Sequence, residues 1–179
     1  MKYELLIIGR GGQGILLMGR VLGTAISKYT NLYVTSTESY GAETRGTESR
    51  VEMIISDDPG EIDYIATRKP NILLVMYPFN LDKYLDKLVD NAHIFLNSDY
   101  IDNIVSKPGW KINRGKYNSI AEKETGTIRT ANMVALGHLV SKTNIIEPVF
   151  VEKTISEIVS SEWIDKNIKA FQAGLRISQ

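Results

Sequence analysis

No cysteine occurs anywhere in the 179 residues. That absence removes disulfides, thiolate zinc sites, cysteine-ligated iron–sulfur clusters and cysteine nucleophiles from this chain. An excess of either charge sign is missing as well, because 21 basic residues balance 21 acidic ones. With no basic patch in view, nucleic acid is not an expected partner. No apolar run approaches the length that spans a bilayer. Met1-Lys2-Tyr3-Glu4 leads into a strand-like run, not a signal peptide, so the expectation is a soluble, cytoplasmic protein with no membrane partner. Histidine is scarce. His93 falls in a strand pattern and His138 in a helix pattern, neither with a second histidine or a carboxylate at ligand spacing. No metal site is therefore expected, and spacing supports no Ser-His-Asp set. Repeats and low-complexity stretches are also lacking, and the length fits one domain over residues 1–179 with a substantial core.

What the chain has instead is a concentration of glycine near its start. Tyr3-Glu4-Leu5-Leu6-Ile7-Ile8 runs into Gly9-Arg10-Gly11-Gly12-Gln13-Gly14. Leu5 to Ile8 is the short apolar run of a strand buried on both faces. Beyond Gly14, apolar residues at Leu17, Val21, Leu22, Ala25 and Ile26 recur at helical spacing. Strand, glycine turn and helix is the pattern, and the start of such a helix offers unpaired N–H groups and a positive dipole end to an anion. Gly9, Gly11 and Gly14 satisfy G-x-G-x-x-G, a weak dinucleotide fingerprint when it stands alone. A P-loop would need Lys and Ser or Thr after the last glycine, where Ile15 and Leu16 stand. A tight turn that binds nothing is the plain alternative, although four glycines in six positions exceed what a turn requires.

Further along, Leu32 to Thr35 predicts a second strand and hence a parallel β-α-β unit. Thr37 to Ser49 is polar and aperiodic, which predicts a loop beside the glycine turn at the carboxyl end of the sheet. Arg50 to Ser56 alternates and predicts a half-exposed strand near an edge. Ile72 to Met76 predicts a buried strand, Leu81 to Leu88 an amphipathic helix, and His93 to Asn97 another strand before an irregular stretch up to Arg114. Three helices close the chain, with stripes at Met133, Leu136 and Val140, then at Val151, Ile155 and Ile158, then at Ile164, Ile168, Phe171 and Leu175. The fold class expected is α/β, a three-layer α/β/α sandwich with a mostly parallel, mixed sheet and a Rossmann-like glycine turn after the first strand.

The candidate chemistry leaves alternatives open. A dinucleotide reading needs an acidic residue after the second strand; Glu38 is the candidate, a few positions late. Arg45 offers a planar fork to a carboxylate or phosphate, or pairs with Glu43, Glu48 or another chain. Arg10 meets phosphate or solvent. The Gln13 amide fixes the turn or touches a ligand. No local catalytic set accompanies these residues.

Two motifs together carry a resemblance. Gly9-Arg10-Gly11-Gly12-Gln13-Gly14 after a strand, followed by Ser39-Tyr40-Gly41-Ala42-Glu43-Thr44-Arg45-Gly46, resembles the gamma subunit of 2-oxoacid:ferredoxin oxidoreductases. Ala131 to Gly137 and Asn167 to Gly174 are similar to that family's late helix and closing segment, so the likeness runs from about Tyr3 to Gly174. The Ser-Tyr-Gly loop and the Arg50 to Ser56 strand look more like the 2-oxoglutarate branch than the pyruvate or 2-ketoisovalerate relatives. The resemblance implies a subunit without cofactors of its own. Thiamine diphosphate and iron–sulfur clusters would sit on alpha, beta and ferredoxin-like partner subunits, with coenzyme A as substrate and ferredoxin as electron acceptor. It further implies that Gly9, Arg10, Gly11, Gly12, Gln13 and Gly14, with Tyr40, Gly41, Glu43, Arg45 and Gly46, meet a phosphate-bearing ligand or a partner subunit.

Overall fold

The apolar run near the start forms β1 (Lys2–Arg10), and the helix behind the glycines is α1 (Ile15–Tyr29). The computed structural model describes residues 1–40, 47–62 and 64–178. Next come β2 (Tyr33–Tyr40), β3 (Glu48–Ser56), β4 (Ile72–Val75), α2 (Leu81–Leu85), β5 (His93–Asn97) and β6 (Lys111–Gly115). Four helices follow: α3 (Tyr117–Thr125), α4 (Ala131–Thr143), α5 (Pro148–Ile158) and α6 (Ile164–Leu175). Single 3-10 turns at Pro59–Glu61, Ile128–Thr130 and Ser161–Trp163 link some of these.

One mixed sheet holds the strands in the order β2-β3-β1-β4-β5-β6. From β1 outward through β4, β5 and β6 every pairing is parallel. On the other side β3 lies antiparallel to both β1 and β2, in a register running from Lys2↔Ser56 to Arg10↔Glu48 and from Tyr33↔Ser56 to Tyr40↔Ser49. Side chains alternate between two cores. Leu5, Ile7, Ile72, Leu74 and Phe95 face the layer built by α1, α3, α4, α5 and α6. Leu6, Ile8, Leu73, Val75, Ile94 and Leu96 face a thinner layer of α2 with Leu88, Ile101 and Trp110. The α/β class, the mixed sheet and the helix after the glycine turn agree with the sequence reading.

Four details correct it. First, β2 runs in the same direction as β1 but is not its neighbour, because β3 is inserted between them. Second, the polar stretch from Thr37 to Tyr40 is strand, not loop. Third, β3 is an interior strand. Its polar residues looked exposed in sequence but are neutralised in place: Arg50 pairs with Glu52 at 3.1 Å, and the Glu52 carboxylate accepts from the Thr67 N–H and hydroxyl. Fourth, the irregular stretch before Arg114 contains β6, and α3 follows it with only Tyr117 and Ala121 buried.

Against α4, α6 packs almost backbone to backbone. A Cβ on Gly137 would lie 2.1 Å from the Phe171 carbonyl oxygen, and one on Gly174 would lie 2.0 Å from that of Val134. Among the described residues no helix is long and apolar enough to cross a membrane.

Candidate functional site at the carboxyl edge of the parallel strands

The chain leaves β1, β4, β5 and β6 on one edge of the sheet, where open α/β folds bind ligands. A cleft of about 200 Å³ lies there, lined by Arg10, Gly11, Gly12, Gln13, Met76, Tyr100, Asn118, Ile128, Arg129 and Ala131. These residues come from the segments after all four parallel strands. The lining holds two guanidinium groups and no carboxylate.

Its glycine wall is rigid for local reasons. Gly12 has φ 94° and Gly14 has φ 73°, a region where a side chain is strained. The Gln13 side-chain oxygen accepts the Arg10 N–H at 2.7 Å, and its amide nitrogen donates to the Met76 carbonyl at 3.4 Å. Gln13 thus ties the turn to the end of β4 and also lines the cleft. The Gly11 N–H donates to the Thr47 carbonyl at 2.8 Å, and the Tyr40 ring would lie 3.3 Å from a Cβ on Gly11. Tyr40 and Thr47 therefore stand against the turn. Gly41, Glu43, Arg45 and Gly46, the remaining candidates, lie outside the described residues.

Behind this wall α1 begins at Ile15 with Gly14 as its N-cap and no side-chain cap. Its first N–H groups have no partner within the helix, and no described side chain caps them. The contrast with α3 is direct. Asp99 accepts from the Asn118 N–H at 2.7 Å and the Ser119 N–H at 3.1 Å, which occupies that helix start from within the chain. Asn132 closes α1 from the side by donating to the Gly14 carbonyl at 3.1 Å, while its own oxygen accepts the Met133 N–H.

The two arginines rest on aromatic rings. Arg10 lies over Tyr77 at 4.8 Å and Arg129 over Trp163 at 4.4 Å. Neither has an acidic partner among the described residues. Asn97, fully buried, ties the strand ends together: its amide nitrogen donates to the Met76 carbonyl at 3.2 Å and to Asn118 at 2.9 Å, and its oxygen accepts the Tyr117 N–H. The arrangement can hold an anionic group against a preformed positive wall. Among the described residues it contains no paired acid and base, and no group of three metal-ligating side chains occurs.

Sequence reasoning found the glycine turn and missed Asn97, Tyr100, Asn118, Arg129 and Asn132. A signal existed for Asn97, a polar residue ending a buried apolar run. Arg129 lies just ahead of α4, whose apolar stripe reads only as core. The dinucleotide reading loses its ground here. Glu38 is exposed on edge strand β2, one strand removed from β1, where the fingerprint requires the neighbouring strand.

Comparison with known proteins accords with this geometry. Residues 4–177 match the family described as pyruvate ferredoxin/flavodoxin oxidoreductase. The KorC subunit of 2-oxoglutarate synthase from Methanothermobacter marburgensis is 38% identical over 179 residues, which cover 97% of this chain and 95% of the relative. The gamma subunit of a keto/oxoacid ferredoxin oxidoreductase from Geobacter sulfurreducens superposes with a TM-score of 0.85 at 30% identity, over 97% of this chain and 94% of its own. A 2-oxoglutarate:ferredoxin oxidoreductase from Magnetococcus marinus, whose structure holds 2-oxoglutarate, coenzyme A and succinyl-CoA, shares the fold at a TM-score of 0.83 and 20% identity. That match covers 97% of this chain and 30% of the larger protein. With sequence and fold matched over nearly the whole length, this chain belongs to the pyruvate ferredoxin/flavodoxin oxidoreductase family and has the form of its separate gamma subunits.

Proposed function

We propose that this chain is the gamma subunit of a 2-oxoglutarate:ferredoxin oxidoreductase. Together with partner subunits it serves the coenzyme A-dependent oxidative decarboxylation of 2-oxoglutarate, giving succinyl-CoA, carbon dioxide and two electrons for ferredoxin. The observation that carries this reading is the whole-length similarity to the KorC subunit of 2-oxoglutarate synthase. The division of labour has a chemical basis. A chain without cysteine cannot ligate an iron–sulfur cluster through thiolates. Thiamine diphosphate and the clusters then belong to alpha, beta and ferredoxin-like partners, and thiamine supplies the carbanion chemistry there.

This chain's own part is electrostatic. Arg10 and Arg129, the uncapped start of α1 and the rigid Gly11-Gly12 wall form a receptor for a phosphate-bearing stretch of coenzyme A. Gln13 and Asn97 act through others, by holding the ends of β1 and β4 in register with the cleft.

The test is reconstitution of the complex with and without this chain. Ferredoxin reduction is followed with 2-oxoglutarate, pyruvate, 2-ketoisovalerate and indolepyruvate offered in parallel. Coenzyme A-dependent turnover of 2-oxoglutarate that needs the chain is expected. Full turnover in its absence would reject the assignment as a working subunit, and preference for another 2-oxoacid would reject the substrate.

A further inference from the structure

At the opposite edge of the sheet, where the parallel strands begin, a second cleft of about 320 Å³ opens. Tyr3 of β1, Ile72 of β4, His93 of β5, Lys111 of β6 and Lys142 near the end of α4 contribute to it. We infer that this basal cleft binds a small oxyanion carrying at least two negative charges.

The charge balance comes first. Two ammonium groups line the cleft and no carboxylate does. Neither Lys111 nor Lys142 has an acidic partner among the described residues. His93 and Lys111 are register partners across the parallel β5–β6 pair. Their side chains consequently stand side by side on the face that α4 covers.

The second observation is the imidazole. Nδ1 of His93 is buried and has no hydrogen-bond partner. An orphaned buried donor is costlier than an orphaned lone pair, which assigns the proton to Nε2. Nε2–H and the two lysine ammoniums then form three donors around one cavity. Burial and then the field of Lys111 hold the His93 pKa below its ordinary value, which favours the neutral ring at pH 7.

The dipole of α4 opposes an anion here, since its negative end points this way. One of its last four carbonyls, that of Val140, accepts the Asn144 N–H, and the two ammonium charges outweigh the dipole's end, equivalent to about half a charge. Size limits the ligand, because this volume sits at the lower end of small-molecule sites. Inorganic phosphate or a short dicarboxylate fits that chemistry. The site is separate from the carboxyl-edge cleft and does not depend on the function proposed for it.

The chain contains only two histidines, His93 and His138, so imidazole NMR of the full chain reads the site directly. Inorganic phosphate and succinate are titrated separately at about 0.15 M sodium chloride, where non-specific surface attraction is largely screened. Expected is a saturable shift of His93 but not His138, with a Kd of about 1 mM or tighter. Lys111→Ala with Lys142→Ala should weaken it about tenfold or more. Arg10→Ala with Arg129→Ala should leave it unchanged. A response to phosphate alone or to succinate alone identifies the source and supports the site. No saturable shift with either probe overturns the inference, and so does unaltered affinity in the lysine double variant.

Discussion

Gly14→Ala is the substitution that tests the built character of the glycine turn. Two costs combine at this residue. The left-handed backbone, φ 73° and ψ 27°, penalises an alanine by about 1–2 kcal/mol, of which the stiffer unfolded chain returns about 0.4–1 kcal/mol. The new Cβ would also lie 2.4 Å from the Asn132 amide nitrogen. That amide is buried and already donates to the Gly14 carbonyl, so moving it forfeits the bond and strands a donor for about 1–3 kcal/mol. The sum is about 3 kcal/mol. Gly12→Ala is the control, because φ is 94° there but no described atom lies within 4 Å of the added carbon. Its cost should be strain alone, about 1 kcal/mol. In an Asn132→Ala background the obstruction is gone and Gly14→Ala should fall to the same level, a coupling of about 2 kcal/mol. Urea unfolding followed by far-ultraviolet circular dichroism measures all four variants. Equal costs at Gly12 and Gly14, or a Gly14→Ala penalty undiminished by Asn132→Ala, would refute the packing account.

Buried His138, held to a pKa of about 4 by burial and then by Lys142, makes stability acid-sensitive. The unfolded chain takes up this proton below about pH 6.5 and the folded one only near pH 4, so stability falls across that window by about 3 kcal/mol; urea titrations at stepped pH should show His138→Asn with a shallower acid slope. Arg10→Ala and Arg129→Ala should each raise the coenzyme A KM of the reconstituted complex by about three- to tenfold, with kcat and the unfolding midpoint nearly constant; an unchanged KM in both would remove the arginines from the site. Gly174→Ala drives a methyl group into the Val134 carbonyl, and forcing α4 and α6 apart should cost about 3 kcal/mol, read as a lowered Tm.

How far the fold could be read from the chain depended on whether a residue's surroundings were local. Leu5 to Ile8 and the stripe of α1 are buried on neighbours that any α/β fold supplies, and both were legible. Strand β3 was legible as a strand but misplaced. Arg50 and Glu52 look like a solvent face in sequence, whereas here they are paired with each other and bonded to Tyr84 and Thr67. The first half of β2 was legible from Leu32 to Thr35, and its second half hid because Thr37 and Glu38 lie on an edge with little to bury. Strand β6 hid because its buried positions are Asn113 and Gly115, which carry no hydrophobic signal.

The site divides along the same line. The glycines announced the helix start, and the structure adds why the described side chains leave it uncapped. Gln13 spends its amide on Arg10 and Met76 and so does not cap α1. Asn132 reaches the Gly14 carbonyl, not the helix amides beyond it. Asp99 is committed to the start of α3. Each of these polar groups lies far in sequence from the turn or has two chemically valid roles, and only the crossovers through β4 and β5 select between them. The uncapped start of α1 therefore reflects where these described groups are engaged, a property of topology that no single motif encodes.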